Sequence, residues 1–133
     1  MGGAVIERSN APGLSDPPGY SHVVVASGSR LVTTAGAVPL DATGNLVGPG
    51  DHLAQTRQTL ENLSLALEAA GATPRDVVKT TVYVVAQDRA DLSAVWGAVQ
   101  ESGVAGAAST LLGVSLLGYE GQLVEIEALA VLP

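Results

Sequence analysis

"LVEIEALAV", residues Leu123 to Val131, decides how this chain folds. Its even-numbered positions, Val124, Ile126, Ala128 and Ala130, are all apolar, while Leu123, Glu125, Glu127 and Leu129 occupy the odd ones. Successive side chains of a strand point to opposite faces, so this run offers one face to a core and carries two carboxylates on the other. The preceding run "AASTLLGV", Ala107 to Val114, places nothing charged opposite them.

Working outward, strands are expected at Ser109–Leu117 and Leu123–Leu132, separated by "GYEG". A third is expected at Val77–Val85, where "VVKTTVYVV" is dense in β-branched residues. Between them Leu92, Val95, Trp96 and Val99 form the apolar stripe of a helix that starts near Asp88 or Asp91 and runs to Gly103. Further upstream, Leu53, Leu60, Leu63, Leu67 and Ala70 recur at helical spacing, with Asp51 where an N-cap belongs and Gly71 where the helix stops. The segment from Val38 to Asp51 is rich in Gly, Pro, Asp and Asn, and a tight turn is expected at Thr43-Gly44-Asn45. Val23–Ala26 and Leu31–Thr34 flank Ser27-Gly28-Ser29-Arg30, and the pattern predicts a hairpin.

The predicted order β-β-α-β-α-β-β makes one α+β domain, residues 1–133, in which two helices cover one face of a mixed sheet. Glu125 and Glu127 then point to the uncovered face. Another subunit is the economical cover for it.

Composition restricts the partners. Six basic against 13 acidic residues give a net charge of −7, which repels a phosphate backbone, so nucleic acid is not an expected partner. No apolar run reaches the roughly 18 residues of a membrane span. "MGGAVIERSNAPG" lacks the basic and apolar segments of a signal peptide, and "MGG" lacks the Ser or Thr of a myristoylation signal, so a soluble cytoplasmic protein is expected. The absence of cysteine removes thiol nucleophiles and thiolate ligands, and with only His22 and His52 no metal site or cofactor is expected. Although 47% of residues are hydrophobic, only 3% are aromatic and none is Phe, so the core must be built from Val, Leu and Ala.

The phrases "TAGAVPLDATGNLVG", "QTRQTLENLSLALEAAGATPRDVVKTTVYV" and "VEIEALAV", in this order, resemble the Rid family, the reactive-intermediate and imine deaminases also called YjgF or L-PSP proteins. The likeness runs from about Ser15 to Val131. It implies a chorismate-mutase-like subunit, a homotrimer with a central barrel, and small-molecule clefts between neighbouring subunits. It also implies hydrolysis of enamines and imines to a keto acid and ammonia.

By the same resemblance, Tyr20 in "PPGYS" and Glu125 take catalytic places, Glu125 as the water-positioning carboxylate. Gly36 in "TAGAVP" supplies backbone to the cleft. The family's substrate-binding arginine falls on Ala108 and its cysteine on Thr110, so the carboxylate clamp is missing. A guanidinium grips a carboxylate through two parallel hydrogen bonds, which a methyl group cannot replace. Trp96, near a position usually occupied by a smaller polar residue in the family, and two added residues around "GYEG" point to a reshaped cleft.

Several of these residues have an ordinary alternative. Glu125 serves either a ligand or an intersubunit hydrogen bond; Glu127 reads as structural; Tyr20 is a ligand-facing phenol or a rim residue. His22 could be a general base, though a lone histidine is more often not catalytic. Arg57 in "QTRQ" could replace the lost cation only if its helix faced the cleft. Three functions remain: an enzyme acting on an imine, enamine or enol without the arginine; a non-catalytic trimer binding a metabolite or protein; and, against the acidic charge, a ribonuclease or translation inhibitor.

Overall fold

The strand at the C-terminal end organises the whole molecule. In the computed structural model, which describes residues 5–133, the elements are β1 (Val5–Ser9), β2 (Val23–Ser27), β3 (Arg30–Thr33), α1 (His52–Ala69), β4 (Val77–Val85), α2 (Arg89–Gln100), β5 (Ala108–Val114) and β6 (Val124–Leu132). The Met1–Ala4 start, read above for targeting signals, lies outside the described residues. β6 alternates as its sequence demands. Val124, Ile126, Ala128, Ala130 and Leu132 are buried, and Glu125 and Glu127 on the opposite face are half-buried.

β6 lies between β3 and β4, both antiparallel to it, and β5 pairs parallel to β4 on the far edge, giving the order β3-β6-β4-β5. The parallel step needs a crossover, and α2 supplies it. Thr80, Val82 and Val84 of β4 share the buried face with the even residues of β6, and Leu63 and Leu67 of α1 with Val95 and Val99 of α2 complete the same core. Two helices therefore cover one face of a mixed α+β sheet.

The helices start and stop where their caps dictate. The Asp51 carboxylate accepts from the backbone N–H of Ala54 at 3.0 Å, and Gly71, at φ +77°, follows the last turn while Ala72 N–H returns to the Leu67 carbonyl. α2 is capped by Asp88, whose side chain accepts from Asp91 N–H. The loop before α1 turns as expected: Asp41 accepts from Thr43 and Asn45, Gly44 takes φ +88°, and Leu40 bridges Leu46.

Four expectations need correction. The hairpin does not form: β2 pairs with β1 and β3 with β6, because Ser29 N–H bonds to the Leu132 carbonyl and carries the chain over the end of β6. A Cβ at Gly28 would overlap that carbonyl, which is why the crossing residue is glycine. The sheet is not single: β1 and β2 form a separate two-stranded ribbon, joined to β5 through a parallel bridge between Ser21 and Ala108. β5 ends at Val114, leaving residues 115–117 outside the strand, and β6 starts at Val124. Finally, the α1 stripe is more polar than its leucines imply: Leu53 is 39% exposed, while Gln55, Thr56 and Thr59 are fully buried.

Gln55 explains its own burial. Its Nε2 donates to the carbonyls of Gly48 (3.1 Å) and Gly121 (3.0 Å), and its Oε1 accepts from Leu123 N–H at 2.7 Å. One amide thus pins the 118–121 loop and the start of β6 to the helix.

Candidate functional site

Glu125 is held from two sides. Gln122, itself buried, donates from Nε2 to Glu125 Oε1 at 3.0 Å, and the backbone of Gly36 lies against the other carboxylate oxygen. A Cβ at position 36 would overlap that carboxylate, so the close approach requires glycine even though its φ is ordinary. The approach is fixed by reciprocal hydrogen bonds between Ala37 and Ile126, at 2.7 and 3.1 Å, which lay the 36–37 segment on β6. No cation pairs with Glu125 among the described residues. A carboxylate that is oriented, half-buried and not neutralised is equipped to accept a proton from water.

Glu127, two residues on, has a different setting. The Tyr83 hydroxyl on β4 donates to its Oε1 at 2.9 Å. This bond, joined by desolvation and by the charges of Glu127 and Glu125, raises the Tyr83 phenol above its ordinary value. The structural reading of Glu127 fits this contact.

Thr33, Thr34, Thr81 and Glu127 border an open crevice of about 350 Å³ on the same face, together with Lys79 of β4. Lys79 Nζ donates to Thr110 Oγ1 at 2.9 Å, and Lys79 is the β4 partner of Ala108 in the β4–β5 ladder. The sequence reading passed over this lysine. Its signal was the period of two in "VVKTTVYVV", which sets Lys79, Thr81 and Tyr83 on the glutamate face.

Tyr20 and Trp96 form a separate group. Their rings meet edge to face with centroids 6.1 Å apart, Trp96 Nε1 donates to the Pro18 carbonyl at 2.7 Å, and with Ser109 and Leu111 they line a nook of about 100 Å³. Ser109 and Leu111 belong to the helix-covered face, since the Thr80 hydroxyl bonds Ser109 at 2.8 Å. Within one chain the expected constellation is therefore divided. Glu125 and Gly36 meet, Ala108 and Thr110 lie on the glutamate face, and Tyr20 and Trp96 sit around the edge of β5 on the other side.

His22 is occupied: its Nδ1 accepts from Ala11 N–H at 3.0 Å, and its ring stands edge-on to Tyr20. Arg57 lies with Leu60, Ala98 and Glu101 between the two helices, away from the open face. The "GYEG" loop borders a further cavity of about 430 Å³ with Val85 and Leu123, where Leu116 and Tyr119 are exposed. Among the described residues no cluster of three or more His, Asp or Glu is placed to hold a metal ion, and no helix is long and apolar enough to cross a membrane.

Residues 13–132 match the family model for endoribonuclease L-PSP. The chain belongs to that family, the YjgF or Rid proteins. It is 37% identical over 127 residues to a RutC family protein of Pyrococcus horikoshii, covering 95% of each chain. It is 38% identical over 80 residues to the 2-iminobutanoate/2-iminopropanoate deaminase of Escherichia coli, covering 59% of this chain and 58% of that enzyme. Among solved structures, a conserved Rid-family protein of Yersinia pestis superimposes with a TM-score of 0.86 at 39% identity, covering 95% of this chain and 98% of that one.

Proposed function

We propose that this Rid-family chain acts as a homotrimer that hydrolyses or tautomerises a reactive imine, enamine or enol in clefts between subunits. The observation that carries this reading is the Glu125 carboxylate, held by Gln122 and Gly36 and, among the described residues, left without a cation. The deaminase activity in the name of the Escherichia coli relative supports the reaction class.

In the hydrolytic form, Glu125 takes a proton from a water molecule whose oxygen adds to the imine carbon. The nitrogen is protonated as the C=N bond becomes single. Collapse of the resulting carbinolamine expels ammonia and returns a proton, leaving a carbonyl. A neighbouring subunit brings its Tyr20 edge to the open face, which would reunite the two groups that one chain keeps apart. The phenol and backbone N–H groups near Gly36 then polarise the far end of the substrate.

Glu125→Gln tests the reading. The amide keeps the size and still accepts from Gln122, so the oligomer should persist at three times 13.3 kDa, about 40 kDa, by light scattering. Turnover of imines generated in the cuvette should disappear. A trimeric variant that is as active as the parent removes Glu125 from the chemistry.

A further inference from the structure

We infer that the "GYEG" loop, Gly118–Gly121, sets the orientation of Glu125, and that Gln122 is the positioning residue between them. The inference deepens the hydrolytic reading above and rests on it for what the oriented carboxylate does.

The way the Gln122 amide is used is the first ground. Its Oε1 accepts from Tyr119 N–H at 3.1 Å, and its Nε2 donates to the Val124 carbonyl and to Glu125 Oε1, both at 3.0 Å. A primary amide has two donors, and both are spent. The Tyr119 N–H fixes the sense of the group. Turned over, the amide would set its own hydrogens against that N–H and its oxygen against the Val124 carbonyl and the Glu125 carboxylate, so the nitrogen must face Glu125. A loop N–H that is bonded to Gln122, and not to Glu125, thus decides that Glu125 meets a donor.

The support of the loop is the second. Gln122 N–H returns to the Tyr119 carbonyl at 3.0 Å, and Gln55 of α1 holds the Gly121 carbonyl on one side of Gln122 and the Leu123 N–H on the other. The backbone that carries the amide is therefore tied to the helix, and the loop closes over it. Gly121 turns at φ +76°, where a Cβ would come within 2.9 Å of the Leu46 side chain. Tyr119 is 53% exposed, yet its N–H bonds to a side chain that is buried.

A tether has a purpose at this position. Glu125 is half-buried on a strand face, and an unrestrained glutamate there samples several rotamers, whereas holding a water for attack requires one. Gly36 makes room for the carboxylate by lacking a Cβ, while Gln122 is the group that bonds to it. All of these contacts lie within one chain and Gln122 is buried there, so a second subunit on the open face leaves them in place.

Spectra of the full-length protein test the coupling without any turnover. In ¹H–¹⁵N spectra, Glu125→Gln should shift the Gln122 side-chain NH₂ upfield, because a neutral amide accepts more weakly than a carboxylate, and should move the Tyr119 backbone N–H with it. Signals of Gln122 and Tyr119 that ignore the substitution overturn the coupling. Kinetics test its use. Gln122→Met keeps the length and loses the donor; kcat should fall at least about tenfold with KM within about twofold, since the carboxylate holds water rather than substrate. Gly121→Ala, which strains the loop and leaves the amide unaltered, should lower kcat in the parent and cost nothing further in Gln122→Met. Gln122→Leu makes the same comparison if the methionine variant does not fold by circular dichroism. Additive losses, or parent-like kcat in a folded Gln122 variant, overturn the positioning role. A protein that turns over no imine, yet shows the coupled shifts, would lose the hydrolytic reading and keep the link from loop to carboxylate.

Discussion

Tyr83 donates its hydroxyl to Glu127 across neighbouring strands, β4 and β6, at 2.9 Å, and this contact separates two glutamates that the sequence makes look equivalent. Glu125 is oriented by an amide and a glycine, whereas Glu127 is satisfied by a phenol.

The phenol should titrate accordingly. Hydrogen bonding to Glu127, then desolvation, then the two negative charges raise the Tyr83 pKa above its ordinary value of 10.0. For a raised pKa, the linked stability is present below pH 10 and is lost as pH rises through the folded-state value. The ¹³Cζ resonance of Tyr83, assigned with Tyr83→Phe, should move at higher pH than that of a free tyrosine. Glu127→Gln should bring the midpoint back down and affect stability more than turnover. A midpoint that ignores Glu127 would contradict the contact.

Gly36 should matter to activity far more than to stability. Its φ is not in the left-handed region, so alanine brings no backbone strain, only a clash with the flexible end of Glu125. Gly36→Ala should fold with a loss of about 1 kcal/mol or less, since a flexible side chain can move aside. Turnover should fall at least about tenfold because the displaced carboxylate no longer holds its water. Parent-like kinetics in this variant would mean that the position of Glu125 is unimportant.

Much of this architecture could be read from the chain. Val77–Val85 is bounded as the β-branched run predicts, and the Asp51 and Asp88 carboxylates start the helices while Gly71, at positive φ, follows the end of α1. What escaped was partner choice: the β-branched residues of Val23–Ala26 and Leu31–Thr34 mark them as strands, but two nearby strands need not pair with each other. β1 was missed because "VIERS" is exposed at four of its five positions and carries no alternating apolar pattern. For the site, the glutamate face was legible from "VEIEALAV", yet the separation of Tyr20 from Glu125 depends on how the 17–21 segment passes the edge of β5. Lys79 was hidden by being a single charge within a strand, where only its register with Ala108 gives it meaning.

Gln55 is a second residue whose role appears only in three dimensions. Gln55→Leu keeps the volume but leaves the Leu123 N–H and the Gly121 carbonyl without their partner, while the Gly48 carbonyl keeps its bond from Asp51 N–H. A buried group left unpaired costs about 1–3 kcal/mol, and the Gly121 carbonyl can turn to water, so a total loss of about 1–3 kcal/mol is expected. Urea unfolding should show a lower midpoint at an unchanged slope. A change under about 0.5 kcal/mol would mean that the loop is not fixed through this amide.

The last prediction concerns Ala108 itself. Position 108 carries a methyl group, where an arginine would offer a carboxylate two parallel hydrogen bonds. With 2-aminoacrylate generated by a serine dehydratase, the parent should therefore accelerate pyruvate release only weakly. Ala108→Arg should raise kcat/KM by about ten- to a hundredfold, the effect of one further charge-assisted contact at roughly 1.5–3 kcal/mol. Most of the gain should be in KM, because the carboxylate is held equally in the ground and transition states. The same substitution in a Glu125→Gln background should improve pyruvate binding and leave turnover absent, since an anchor cannot replace the group that activates water. An Ala108→Arg variant no better than the parent would show that a carboxylate is not held at this end of the cleft.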